Sequence, residues 1–476
     1  GANAIRQSLD NLNGAGSLYG AIIYQKAPIV MRNLEALTGE EAFRDGLRTY
    51  LKTYSFANAA WPDLISILDA RTPEDLAAWS HAWVEEPGRP TLRTAITNVG
   101  RRIETLSFTQ EDPRQRGLLW NQQFQVTLGY PDGNKTLPVH LVGQQAVVDA
   151  AAGLPMPLYV LPNGGGIAYG QIELDGTSRT YLAAHLHEIA DPLTRGSAMV
   201  ALWEELLRGA VSPEAFVYMA IVALPLETDE LNAQRLLSYT TEAWWQFMSP
   251  TSRRELAPRL EALLHRGIVS APSTSLKSAW FRTYRDVALT PTGVEWLARV
   301  WRGDERIPGL AFSEPDYIAM ASELAVRGVP DWKAILEQQL ARTQNPDRKA
   351  QFAFVIPALD ADPEVRGRVF ASLADPKNRT HEPWVLGALR YIHHPLRAAS
   401  AEPFITPSLE MLLEIQRTGD IFFPKNWMDA TLSGHSSPAA AATVRAFLGS
   451  LPPDYPPRLR MVIEASADTL FRASRI

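Results

Sequence analysis

A chain of 476 residues with 46% apolar and 21% charged residues is long enough for about three domains of roughly 150 residues, each able to hold a core without disulfides. Cysteine is absent, which excludes disulfides, thiolate zinc ligands and a cysteine nucleophile together, and fits an oxidising or a reducing compartment equally. The net charge of −6 comes without a basic run of the kind nucleic-acid binders carry, and no apolar run reaches the ~20 residues that would span a membrane.

The chain opens on Gly1-Ala2-Asn3, with neither a Met nor a signal-peptide pattern, so the native start is expected to lie out of view and the compartment stays open. Residues 1–90 read as helical. Pro28 suits the first turn of a helix, and Val30, Met31, Leu34 and Leu37 recur at helical spacing. Thr38 with Glu41 predicts a capping box for a second helix carrying Phe43, Leu47, Tyr50 and Leu51. A third helix is expected near Trp61-Pro62-Asp63 and a fourth near Thr72-Pro73-Glu74. Pro87-Gly88-Arg89-Pro90 then breaks the pattern and marks a boundary.

Residues 91–176 change period. Phe124, Val126 and Leu128 alternate with polar residues, Tyr130-Pro131-Asp132-Gly133-Asn134 reads as a turn, and Leu137, Val139 and Leu141 alternate again, which predicts a hairpin. Pro162-Asn163-Gly164-Gly165-Gly166 precedes a further strand-like run, Ile167 to Leu174. Several short strands with turns between them suggest a small β-sandwich. Residues 177–476 return to helices: Ala198–Arg208, Pro213–Leu224, Leu231–Met248, Arg253–Arg266, and so on to Pro457–Ser474. Amphipathic helices at this spacing predict stacked pairs in an α-solenoid, with an irregular bundle as the alternative; no clean sequence repeat is evident.

The first ninety residues carry a series of landmarks: Tyr19 and Tyr24-Gln25-Lys26-Ala27-Pro28, then Leu37-Thr38-Gly39, Gly46-Leu47, Tyr50-Leu51, Phe56-Ala57-Asn58-Ala59, Asp63-Leu64 and Trp79…Trp83…Gly88-Arg89-Pro90. The series resembles the zinc aminopeptidases of the aminopeptidase N family, gluzincin metallopeptidases, just downstream of their metal site. It departs from the family's Tyr-x-Lys-Gly pattern at Ala27. The resemblance implies a mainly α protein with a β-sandwich insert. Residues 1–90 would be the C-terminal helical part of a thermolysin-like catalytic domain, 91–176 a β-sandwich, and 177–476 an armadillo- or HEAT-like α-solenoid. The loose match of Asn163…Tyr169-Gly170 to the family's Asn-Gly turn before a Gly-Tyr strand agrees with that order.

The resemblance also implies a function: removal of N-terminal residues from peptides by a single-zinc mechanism. It gives Tyr24 the role of hydrogen-bond donor to the tetrahedral oxyanion, a job a neutral phenol beside a metal can do. From the residues alone Tyr24 reads as a core aromatic, and Tyr19 is a second candidate. His-Glu-x-x-His is absent from the chain. Zinc is therefore expected in the complete enzyme and not in this chain alone, with the ligands supplied by an N-terminal half or by a second polypeptide. Such a chain should leave an apolar face on residues 1–90 for that partner to cover. The family also uses cations of its C-terminal domain to hold the far end of a peptide, which makes Lys425, in the aromatic segment Gly419–Trp427, a candidate peptide contact. The same segment reads otherwise as a packed loop between helices. Two rivals stay open: a non-catalytic scaffold of aminopeptidase-like architecture, and a plain helical-repeat binding protein.

Other motifs read as structural. In His187-Glu188-Ile189-Ala190-Asp191 an Asp stands where a metallopeptidase motif needs its second His, so an exposed helix is expected. Gly164-Gly165-Gly166 leads into a strand without a following Lys, which predicts a turn and not a phosphate loop. His393-His394 precedes Pro395 and reads as a loop.

Overall fold

The computed structural model describes residues 3–7 and 22–476; Tyr19 lies outside them. Within them the chain is mainly helical with two small sheets, and it divides into two compact units, Gly1–Leu206 and Leu207–Ile476.

The first unit begins with α1 (Ala27–Thr38), α2 (Glu40–Thr53), α3 (Trp61–Asp69) and α4 (Leu76–Ser80). Val30, Leu34 and Leu37 fall on one face of α1 and bury against Leu64, Leu68, Trp79 and Trp83, as their spacing requires. The expected Thr38 capping box does not form. Thr38 closes α1 instead, its Oγ1 donating back to the Leu34 carbonyl at 2.9 Å, and Gly39 turns the chain at φ +85°, a conformation that favours glycine. The fourth helix starts later than Thr72-Pro73-Glu74, at Leu76, because Asp75 accepts the Ala78 N–H at 2.8 Å.

Seven strands follow. β1 (Thr91–Val99), β2 (Arg102–Glu111), β3 (Gln122–Tyr130), β4 (Gly133–Leu141), β5 (Gln145–Val147), β6 (Tyr159–Leu161) and β7 (Gln171–Glu173) form one sheet in the order β5-β2-β1-β7 and another in the order β4-β3-β6. The expected hairpin is β3–β4, paired from Gln122↔Leu141 to Tyr130↔Gly133. Phe108 of β2 and Phe124 of β3 meet edge to face with centroids 5.5 Å apart, so the two sheets touch through their buried aromatic residues. The run Ile167–Leu174 is strand only at Gln171–Glu173, parallel to Thr91–Arg93. The residues before it are spent on a turn. Asn163 Oδ1 accepts the Ala168 N–H at 2.8 Å, and a Cβ on Gly164 would lie 1.8 Å from Thr127 Oγ1, so glycine is required there. Two helices complete the unit, α5 (Gly176–His185) and α6 (Pro192–Leu207).

The second unit is helical throughout its described elements: α7 (Pro213–Ala223), α8 (Glu230–Glu242), α9 (Pro250–Ser270), α10 (Thr274–Val287), α11 (Pro291–Arg302), α12 (Glu314–Val326), α13 (Trp332–Arg342), α14 (Pro346–Val355), α15 (Pro363–Ser372), α16 (Glu382–Ile392), α17 (Ala398–Ala401), α18 (Ile405–Glu410), α19 (Leu412–Thr418), α20 (Phe423–Leu432), α21 (Pro438–Ser450), α22 (Pro457–Ser466) and α23 (Asp468–Ala473). Many share one kind of start: a Ser, Thr, Asp or Asn side chain accepts a first-turn N–H, and Pro follows, where its missing N–H costs nothing.

At four places the start is extended by an arginine. Asp191-Pro192-Leu193-Thr194-Arg195, Ser249-Pro250-Thr251-Ser252-Arg253, Asp362-Pro363-Glu364-Val365-Arg366 and Asp375-Pro376-Lys377-Asn378-Arg379 share the spacing Asp/Ser-Pro-x-x-Arg. Each of these arginines is buried and reaches back to carbonyls left open by the preceding segment. Arg195 Nη1 donates to Ile189 and Ala190 at 2.6 and 3.2 Å, and Arg366 Nη1 to Asp360 and Ala361 at 2.7 and 2.8 Å. Arg253 Nη1 donates to Met248 at 2.8 Å and Trp244 at 3.2 Å; Arg379 Nη1 donates to Leu373 and Ala374. Removing one such guanidinium strands two carbonyls. Arg366→Met should therefore lower unfolding free energy by about 2–6 kcal/mol, at about 1–3 kcal/mol per unmet buried group. Urea unfolding followed by helical circular dichroism measures this, and a loss under about 0.5 kcal/mol would make the reach-back incidental.

Candidate active-site surface around Tyr24

Tyr24 sits in a single π-helical turn, Ile22–Lys26, that runs straight into α1. The cause is local. In an unbroken α-helix the residue at position 28 would donate to the Tyr24 carbonyl, but Pro28 has no N–H and its ring crowds that carbonyl. The turn widens to five-residue bonding, a local geometry that re-aims side chains. Tyr24 is 68% exposed, and its hydroxyl has no hydrogen-bond partner among the described residues.

Two residues further on, Lys26 points the other way and is only 2% exposed. Its ammonium donates to the Gly88 carbonyl at 3.4 Å, and burial pushes its pKa down to about 8. Gly88 lies at φ +111°, so the Pro87-Gly88-Arg89-Pro90 cluster does more than end a helix: it presents a carbonyl to Lys26. The next residue, Arg89, makes a bidentate pair with Glu204 at 3.1 and 2.7 Å. Asn33, fully buried one turn along α1, donates to the carbonyls of Ile29 and Ile167 at 3.2 and 3.1 Å. Trp83 Nε1 donates to the Asn121 carbonyl at 3.0 Å, and the Trp83 ring lies 5.9 Å from that of Tyr169. The turn that carries Tyr24 is thus anchored from below by α1's apolar face, Lys26 and Asn33. The sequence singles out Tyr24 as a candidate but gives no sign of these anchors, because a Lys and an Asn in an apolar helix carry no mark of their distant carbonyl partners.

Apolar side chains are also exposed within residues 22–60. Ile23 is 39% exposed, and on the segment from α2 onward Leu51 is 68% exposed and Phe56 fully so. Phe56 also has φ +60°, an uncommon conformation for a bulky side chain.

The other singled-out residues lie elsewhere. Lys425 is on α20, its ammonium held by both Asp429 carboxylate oxygens at 2.5 Å. Asn426 and Trp427 belong to the same helix, so the expected inter-helix loop is confined to residues 419–422; Trp427 is fully buried and donates to the Ser408 carbonyl at 3.2 Å. The His187-Glu188 stretch is a short 3₁₀ turn after α5, where Glu188 pairs with His185 at 3.0 Å, and Asp191 caps α6 through Thr194 at 2.7 Å. His393-His394 is the short connection expected between helical elements, but it is not solvent-exposed at His393. His393 closes α16, buried, with its Nδ1 2.8 Å from Nε2 of the equally buried His435. Burial holds both rings neutral, with the His435 pKa pushed down to about 4. One ring donates and the other accepts; two nitrogens this close cannot flank a metal between them. Among the described residues no three His, Asp or Glu side chains gather in a way that could hold a metal ion. None of their helices is long and apolar enough to cross a membrane.

Comparison with known proteins agrees with the Tyr24 series. Residues 1–83 match the peptidase family M1 domain. Aminopeptidase N of Streptomyces lividans is 26% identical over 325 residues, covering 65% of this chain and 38% of the relative. Leucyl aminopeptidase of Saccharolobus solfataricus is 29% identical over 133 residues, 28% of this chain and 16% of that one. The crystal structure of Legionella pneumophila aminopeptidase A in complex with aspartic acid superposes with a TM-score of 0.62 at 16% identity, covering 98% of this chain and 59% of that one, a likeness of fold. The chain thus spans less than two thirds of the length of each of these proteins. Residues 1–83 carry the M1 peptidase match, and the chain as a whole resembles the aminopeptidase N group.

Proposed function

We propose that this chain forms the C-terminal part of a zinc-dependent aminopeptidase that removes N-terminal residues from peptides. The observation that carries the reading is the match of residues 1–83 to the M1 domain, with Tyr24 exposed on a turn that the fold anchors. In this reading residues 1–90 belong to a thermolysin-like catalytic domain, 91–176 to a β-sandwich and 177–476 to an α-solenoid. The contact between Phe108 and Phe124 supports the sandwich, and the recurring Asp/Ser-Pro-x-x-Arg starts support a solenoid of repeated helical units.

The residues of this chain do not fit a zinc site. His-Glu-x-x-His is absent from the sequence, and the described side chains bring no three ligands together. In this reading the metal would be held by residues other than these 476, and it would supply the activated water. What this chain supplies is the Tyr24 hydroxyl, a neutral donor on an open surface, aimed at the oxyanion that forms when water adds to the scissile carbonyl. Such a donor helps only if it is held in place before charge develops, and the π turn with its buried Lys26 anchor supports that reading. The exposed Ile23, Leu51 and Phe56 support a surface covered by the zinc-bearing part of the enzyme.

Three measurements test this. In the zinc-loaded enzyme, Tyr24→Phe should lower kcat by about 10²–10³-fold, the range for losing one oxyanion donor. A loss under threefold would remove Tyr24 from the mechanism. The 476-residue chain alone should take up no stoichiometric zinc and hydrolyse no peptide. Metal analysis and a peptidase assay check both, and zinc-dependent aminopeptidase activity from this chain by itself would refute the division of labour. Lys425 is retained as a contact to the far end of the peptide, its charge borrowed from the Asp429 pair. Lys425→Glu should then raise KM for long peptides more than for short ones, and equal effects on both would make the residue structural.

A further inference from the structure

The second unit contains a groove of two adjoining lobes, each about 510 Å³, that share Thr241, Trp245, Asp286 and Pro395 as a common wall. One lobe is an apolar slot between α12 and α14, with Ile318, Ala319, Phe352 and Val355 in its lining. The other is more polar and runs along α8 and α10, with Glu242 and Arg282 in its lining.

Charges along this groove fall into two groups. Asp286, Glu323 and His394 are answered from within the chain. Asp286 is paired with Arg285 at 2.8 Å. Glu323 is paired with Arg327 and lies 3.6 Å from His394 Nε2. His394 Nδ1 accepts the Leu396 N–H at 3.2 Å, which leaves Nε2 as the protonated nitrogen facing Glu323. Arg282 and Arg390 have no partner among the described residues, but both are exposed, and an exposed guanidinium is satisfied by water.

Glu242 is the exception. It is the last residue of α8, partly buried in the polar lobe, and its carboxylate has neither a hydrogen bond nor an ion pair among the described residues. Burial pushes its pKa up, and Arg282, though it lines the same lobe, makes no ion pair with it. A desolvated carboxylate without a partner is the group on this wall that gains most from a ligand cation.

We propose that this groove binds a peptide segment that carries a basic side chain near an apolar one, with Glu242 taking the basic group and the Ile318–Phe352–Val355 slot the apolar group. Two lobes of similar size, divided by Trp245 and Pro395, suit an extended ligand with two side groups better than a compact one. That the occupant is a peptide rests on the aminopeptidase reading; which peptide is chosen by the groove's own charge and shape.

The test is calorimetric titration of the 476-residue chain with N-acetylated, C-amidated peptides holding a lysine and a leucine one or two residues apart. Acetylation removes the free amine on which an aminopeptidase acts, and amidation removes the carboxylate that Arg282 or Arg390 would attract. The lysine peptide should bind at least about 10-fold more tightly than its Lys→Gln sibling, as a charge-assisted contact requires. In Glu242→Gln the two peptides should bind alike. Ala319→Phe, which fills the slot, should weaken the leucine peptide and leave a Leu→Gly sibling unchanged. Thermal melting confirms that each variant is folded. Equal binding of the lysine and glutamine peptides to the unaltered chain, or no binding of either at millimolar concentration, overturns the proposal. Hydrolysis of free peptides by the zinc-loaded enzyme together with failure of these probes would sink the groove alone and leave the aminopeptidase reading standing.

Discussion

The organisation of the Tyr24 end depends on one missing donor. Pro28 cannot close the bond to the Tyr24 carbonyl, so the chain enters α1 through a π turn in place of a continuous α-helix. The wider turn turns Tyr24 outward to 68% exposure and Lys26 inward to 2%. An ammonium forced inward needs a carbonyl, and the left-handed Gly88 supplies it at 3.4 Å. The bidentate Arg89–Glu204 pair then fixes the segment that carries Gly88. A proline at the second position of a helix thereby determines what the residues 60 positions later have to do.

Much of this was legible in the sequence, and the failures share a physical cause. Apolar periodicity found α1, α7 and the β3–β4 hairpin, since their burial is decided by residues a few positions apart. It failed where a distant or unusual backbone group decides the outcome. Thr38 has the chemistry of a cap, yet Gly39 at φ +85° already ends the helix and leaves Thr38 inside it. Ile167–Leu174 alternates like a strand, but Asn163 holds Ala168 in a turn and Gly170 packs against Leu92. His393 and His435, 42 residues apart, carry no mutual signal; a Cβ on Gly434 would lie 1.5 Å from the His393 carbonyl, and it is that close approach of two chain segments which brings the rings together. The Asp/Ser-Pro-x-x-Arg starts were readable as a pattern. Their meaning was not, because the arginine's partners are backbone carbonyls five to nine residues earlier, which every sequence has.

Those arginines also sharpen the meaning of Glu242. The helical unit buries many charges, and it answers each kind in a consistent way. Guanidiniums bury against carbonyls exposed at helix ends, as Arg366 and Arg379 do, and Arg327 spends its donors on Ala288, Arg285, Asp286 and Glu323. Carboxylates bury against hydroxyls, amides or arginines: Glu261 accepts the Leu289 and Thr290 N–H groups at 2.7 and 2.8 Å. Each answer removes most of the cost of taking a charge out of water. A fold that satisfies its interior charges this thoroughly has the means to satisfy Glu242 as well; Gln or Leu at the end of α8 would cost it no helix propensity. An unpaired carboxylate kept at the wall of an open groove is therefore better explained by a cation that comes and goes than by a defect of packing. The same logic separates Glu242 from Lys425. The Lys425 ammonium already donates to both Asp429 carboxylate oxygens, so any ligand anion must compete with a contact the chain makes for itself, whereas a ligand cation at Glu242 competes only with water.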